Sequence, residues 1–89
     1  MFATLLPHNR FGLPTRANPG DAGWDLQAAI DGPIEVGVEP VVIPCGFCVA
    51  LPIGHVGLVC PRSGLAAKQG ITVVNAPGII DSEYRGEVK

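Results

Sequence analysis

The chain has 89 residues, enough for one small domain, and a formal net charge of −2. Its six basic residues (Arg10, Arg16, Arg62, Lys68, Arg85, Lys89) are scattered, which excludes a polyanion-binding face for DNA or RNA and leaves room for a small anion held by one or two arginines. Hydrophobic residues make up 47%, a surplus for a domain that buries only about 60% of its unfolded surface, so either copies associate or further chain covers the excess.

From the N-terminus, Met1 to Arg10 lacks a charged segment followed by an apolar core, so no signal peptide is read there. Twelve Gly and nine Pro then punctuate the chain. Between them lie short Val- and Ile-rich runs, the pattern of an all-β sandwich or barrel. The predicted strands are Asp25–Ala28, Ile34–Val36, Val41–Ile43, Phe47–Leu51, Val56–Cys60 and Ile71–Val74. The most apolar stretch, Val41 to Ile53, is broken by Pro44, Gly46 and Pro52 and falls short of the ~20 residues that span a bilayer. Ser63 to Gln69 reads as the one helix, about two turns at most, closed by Gly70. Gly86–Lys89 begins a further strand, and an unpaired edge there gives the expectation that the domain is incomplete at its C-terminus.

The three cysteines, Cys45, Cys48 and Cys60, are an odd count, expected as reduced thiols in a cytoplasmic protein. Cys45-Gly46-Phe47-Cys48 has redox-motif spacing, but its flanks read as strand, turn and strand rather than strand and helix. A zinc site would need a second ligand pair, and only Cys60 and His55 are near in sequence. The cysteines are therefore read as small buried residues.

Three segments hold the unusual residues. In Pro19-Gly20-Asp21-Ala22-Gly23-Trp24-Asp25-Leu26, both aspartates can cap turns. In Pro61-Arg62-Ser63-Gly64-Leu65-Ala66, an arginine fork and a hydroxyl at a helix start suit phosphate oxygens, while an ordinary Ser N-cap with a solvated Arg accounts for them equally well. From Asn75 to Gly86, a Pro-Gly pair, an Asp after two isoleucines and Tyr-Arg-Gly make a hairpin-like loop. Its Asp81 is either a tuned base or a turn residue, and its Tyr84 either contacts a ligand or packs.

Taken in order, these segments resemble the homotrimeric dUTPase family. Ala22-Gly23-Trp24-Asp25-Leu26 is similar to its first motif, with Trp24 where Tyr is common. Pro61 to Ala66 is similar to the second, and Asn75 to Gly86 to the third. The resemblance runs from about Leu13 to Lys89 and implies a single domain, 1–89, with a distorted jelly-roll β-barrel (a β-clip), truncated after the third motif. The fourth motif, with its Gln, and the fifth, a Gly-rich arm, are expected beyond Lys89, so the 89 residues alone are expected to turn over little substrate.

The resemblance further implies hydrolysis of dUTP to dUMP and pyrophosphate, supplying dUMP for dTMP synthesis and limiting uracil in DNA. Asp81 is then the general base for the attacking water. Arg62, Ser63 and Gly64 hold the phosphates. Asn75, Ile79 and Ile80 read uracil, with Lys89 also touching the base, and Tyr84 packs beneath the deoxyribose. Mg²⁺ is the implied cofactor, bound mainly through the triphosphate, with Asp25 in its outer shell. Arg85 supports the loop or the subunit contact. The third motif of one subunit faces the phosphate motifs of its neighbour, so a homotrimer with shared active sites follows, with neither nucleic acid nor membrane as partner. Two alternatives remain. One is a dCTP deaminase-like enzyme, which usually shows Arg-Ser-Ser in the second segment and Trp near the position of Tyr84. The other is a non-catalytic nucleotide-binding or interaction fragment.

Overall fold

A computed structural model describes all 89 residues, Met1–Lys89. Strand β1 (Phe2–Leu5) pairs antiparallel with β2 (Phe47–Ala50), and β3 (Gly57–Val59) with β4 (Gly78–Ile80). The one helix, α1 (Ser63–Gln69), lies between β3 and β4 in the chain. The class is therefore all-β with one short helix, as the sequence indicates. Its two sheets have two strands each and close no barrel.

Strand β2 is the centre of the packing. Side chains alternate across a strand, and here Phe47 and Val49 are buried while Cys48 and Ala50 are half-buried. Val88 completes the core with Phe47 and Val49, and Leu26, Cys45, Leu51, Val59 and Ile80 pack around them. Val88 is seated by backbone bonds to the edge of β2 that β1 does not use. Its N–H donates to the Phe47 carbonyl at 3.0 Å, and its own carbonyl accepts from the Cys45 N–H at 3.0 Å. A bridge between Cys48 and Glu87 extends this pairing. The strand expected at Gly86–Lys89 is thus started but reduced to one bridge.

Several expectations change. Phe47–Leu51 and Val56–Cys60 form strands within a residue or two of their predicted bounds. Ile34–Val36, Val41–Ile43 and Ile71–Val74 form no strand, Val74 entering a turn, and Asp25–Ala28 keeps only the bridge from Asp25 to Thr15. A strand persists where a neighbour takes up its N–H and C=O groups, and alternation alone does not supply that neighbour. Strand β1 lies outside the predicted strands, and β4 lies inside the hairpin-like loop of residues 75–86. Cys60 is exposed rather than buried, and Cys45 and Cys48 are half-buried free thiols.

Helix α1 stops where expected. Gly70 takes a left-handed φ of 66°, its N–H reaching the Ala66 carbonyl at 3.1 Å and that of Ile71 the Leu65 carbonyl at 3.3 Å. No residue of α1 is buried. No helix is long and apolar enough to cross a membrane.

Candidate active site

Arg62 occupies the N-cap position of α1 in extended backbone, with no side-chain cap bond. Ser63 is therefore the first helical residue rather than the cap, and the Ser N-cap reading is set aside. The backbone here turns from β3 into α1, so the exposed Arg62, Ser63 and Gly64 project together at the strand-to-helix junction.

The first segment comes to the same place. Asp25 is fixed by its bridge to Thr15, where its N–H donates to the Thr15 carbonyl at 2.8 Å. Its Oδ1 lies 3.9 Å from Arg62 Nε. An exposed pair at that separation adds little stability, but it brings a carboxylate and a phosphate-compatible guanidinium into one locus. Asp21 instead closes a local turn, accepting from the Asn18 N–H at 2.9 Å, which is the turn role open to it in the sequence. Trp24 carries the Arg16 guanidinium over its ring, 4.5 Å from the centroid.

The third segment forms a second group. The β3–β4 ladder pairs Leu58 with Ile79 and Gly57 with Ile80. Period-2 alternation leaves Ile79 59% exposed and turns Ile80 onto the core. Gly78 is buried, and a Cβ there would meet Val59 Cβ at 3.3 Å and Asn75 Nδ2 at 3.4 Å, which sets the exposed Asn75 beside the start of β4. A turn follows β4, in which the Tyr84 N–H donates to the Asp81 carbonyl at 3.1 Å. The Asp81 carboxylate is exposed and enters none of the ion pairs of the chain. Arg85 donates from Nη1 to the carbonyls of Ser82 at 2.7 Å and Tyr84 at 3.0 Å, bracing the loop. Lys89 is exposed one residue beyond the buried Val88.

The structure thus gathers Asp25, Arg62, Ser63 and Gly64 in one group, and Asn75, Ile79, Ile80, Asp81 and Tyr84 in another. No hydrogen bond or ion pair within the chain joins them. No three His, Cys, Asp or Glu side chains converge on a metal-sized site. At the Arg62 locus the available donor is one carboxylate, Asp25. That set suits Mg²⁺, which keeps several waters and takes its other ligands from phosphates, and it does not suit a closed protein cage.

One cluster lies outside every sequence expectation. Glu87 accepts from the Gly46 N–H at 2.9 Å and meets His8 Nε2 at 2.6 Å. Its carboxyl is held below the ordinary value of 4.5, first by the His8 hydrogen bond and then by the Gly46 N–H; burial opposes the shift and the charges of His8 and Lys89 reinforce it. Cys45 adjoins it, and burial followed by the Glu87 charge pushes that thiol up from 9.0. His8 and Glu87 are 79 residues apart, so no local spacing signals their contact.

An all-β chain with a phosphate-compatible junction and a carboxylate-bearing hairpin loop fits a nucleotide-handling domain. The chain belongs to the dUTPase family, whose model it matches over residues 9–89. It is 57% identical over 77 residues to the deoxyuridine 5'-triphosphate nucleotidohydrolase of Corynebacterium glutamicum, covering 86% of this chain and 51% of that protein. The Nocardia farcinica protein of the same name is likewise 57% identical over 77 residues (86% and 46%). That of Aquifex aeolicus is 52% identical over 86 residues (94% and 57%). The chain spans about half the length of the curated relatives it matches.

Proposed function

We propose that the protein hydrolyses dUTP to dUMP and pyrophosphate in the cytoplasm, as a homotrimer whose sites are shared between protomers. The observation that carries this reading is the 78–84 segment, where the exposed Ile79, the unpaired Asp81 carboxylate and the half-exposed Tyr84 are fixed in one short loop. The names of the relatives support dUTP as substrate. They also favour it over the deaminase alternative, as do Gly64 and Tyr84.

Asp81 acts as general base. An ionised carboxylate free of internal partners can accept a proton from water within hydrogen-bond reach, ~2.6–3.2 Å. Arg62 supplies a planar fork for phosphate oxygens, with Ser63 and Gly64 beside it and Asp25 steadying the guanidinium. Asn75, the Ile79–Ile80 backbone and Lys89 hold the uracil, and Tyr84 lies under the deoxyribose, where a 2′-hydroxyl would crowd it. Mg²⁺, when bound, would neutralise charge on the triphosphate, and Asp25 would be its outer-shell carboxylate.

No hydrogen bond or ion pair joins the two residue groups within one chain, which supports a site in which Asp81 of one protomer faces Arg62 of the next. Asp81→Asn and Arg62→Ala variants of the full-length protein, each assayed alone for pyrophosphate release from dUTP and Mg²⁺, are expected to lose at least ~100-fold in kcat/KM. Refolding the two together is expected to restore part of the activity, because mixed trimers contain sites with both residues intact. Full activity in Asp81→Asn removes the base assignment, and failure of the mixture to recover argues against a shared site.

A further inference from the structure

We propose that Glu87 is the positioning residue for Tyr84, and that through it the N-terminal segment at His8 controls discrimination between deoxyribose and ribose. This rests on the reading that Tyr84 lies against the sugar, and it adds a residue and a remote contact to that reading.

The Tyr84 hydroxyl donates to the Glu87 backbone carbonyl at 2.7 Å. Tyr84 is therefore held through its backbone, by its N–H to the Asp81 carbonyl, and at the far end of its ring, by its hydroxyl to residue 87. Gly86 makes this possible: a Cβ there would sit 2.5 Å from the Tyr84 hydroxyl oxygen and 2.7 Å from Cζ. The ring direction is then only as fixed as residue 87. That residue is set against β2 by its bridge to Cys48, with the Val88 N–H bond to Phe47 beside it. Its side chain is 21% exposed and holds the Gly46 N–H and His8 Nε2.

His8 is in turn placed by β1, which pairs with β2, and by Asn9, whose Nδ2 donates to the Gly46 carbonyl at 3.1 Å. A continuous set of contacts thus joins His8, Gly46, Glu87 and Tyr84. A hydrogen-bonded end fixes a ring that packing alone would let tilt. A tilted ring no longer closes the space beside the 2′-carbon, so the loss falls on discrimination rather than on the chemical step.

Two measurements on Glu87→Ala, Glu87→Gln and His8→Ala test this. The first is the NMR shift of the Tyr84 ring, the single tyrosine of the 89 residues. The second is the ratio of kcat/KM for UTP and dUTP in the full-length protein. Glu87→Ala is expected to move the ring resonances toward those of an unstructured tyrosine and to raise relative use of UTP on the order of tenfold. Glu87→Gln keeps an oxygen acceptor for the Gly46 N–H and is expected to stay within about twofold of the parent in both readouts. The surface variant His8→Ala serves if Glu87→Ala does not fold, and is expected to shift both readouts in the same direction by a smaller amount. A purely structural Glu87 would lower the melting temperature and leave the ring shifts of the folded variants and the nucleotide ratio at parental values; that result overturns the proposal. A parent that turns over neither nucleotide sinks the substrate reading instead, while the ring resonances still decide whether Glu87 orients Tyr84.

Discussion

At Gly46 the backbone holds a φ of 74°, and a Cβ would lie 2.9 Å from Asn9 Cα and 3.0 Å from Ala29 Cβ. Both neighbours are short of room to move, because Asn9 is tied by its side chain to the carbonyls of Gly12 and Gly46, and Ala29 donates its N–H to the Pro44 carbonyl. Gly46 also gives its own N–H to Glu87. A side chain here meets two separate costs, left-handed backbone and a clash with Asn9 and Ala29. Gly46→Ala is therefore expected to destabilise the fold by about 2–4 kcal/mol, read as a lowered denaturant midpoint with an unchanged slope. A midpoint equal to the parent's would show that the 8–12 segment shifts freely away from β2. In the sequence, Gly46 stood out only as the middle of a Cys-x-x-Cys spacing. Its actual work depends on Asn9, Ala29 and Glu87, none of them near it in the chain.

Elements that signal themselves locally were the legible ones. Helix α1 was readable because a glycine ends it, and Gly70 adopts the left-handed conformation that the position requires. Strands β2 and β3 were readable because their alternation faces a core. The runs at 34–36, 41–43 and 71–74 have comparable composition and form no ladder, since pairing is decided by what lies alongside. Strand β1 carries no such signal, since its burial shows no alternation at all; only its register with β2 makes it a strand. The candidate site divides in the same way. The motif residues were legible from their order, whereas the Asp25–Arg62 approach and the Glu87 network depend on tertiary contact. At Gly70 a Cβ meets nothing within 4 Å, so Gly70→Ala isolates the backbone contribution. It is expected to cost about 1 kcal/mol and to fray α1, measured as a lower melting temperature with faster amide exchange at Ala66–Ile71. Because Arg62 opens the same helix, nucleotide affinity should be nearly unaffected, as the change lies at the opposite end.

Across the whole molecule, only six of 89 residues are buried, and Val38 is 99% exposed. A core of three residues leaves the fold dependent on contacts that join its distant parts. The Glu87 cluster is the main polar one, tying the N-terminal segment, the start of β2 and the residues after the Asp81 loop. Its titration sets the expected acid behaviour. Glu87 has a folded pKa below its ordinary 4.5, so the folded state binds fewer protons there than the unfolded chain. The stabilisation is fully present above about the unfolded value and is lost as pH falls through the lower, folded value. The groups facing the carboxylate are His8, Lys89 and the Cys45 thiol. Burial and the Glu87 charge push the Cys45 thiol up, away from this range, so it does not reverse the sign. Glu87→Gln removes the titrating group while keeping an acceptor for Gly46. Its stability difference from the parent should be largest near neutral pH and shrink steadily below pH 4.5, as the parent carboxyl becomes protonated and equally neutral. Denaturant titrations at a series of pH values measure this. If the two curves run parallel from pH 7 to acid, Glu87 is not exchanging protons on unfolding, and the hydrogen bonds from His8 and Gly46 do not hold its charge in solution.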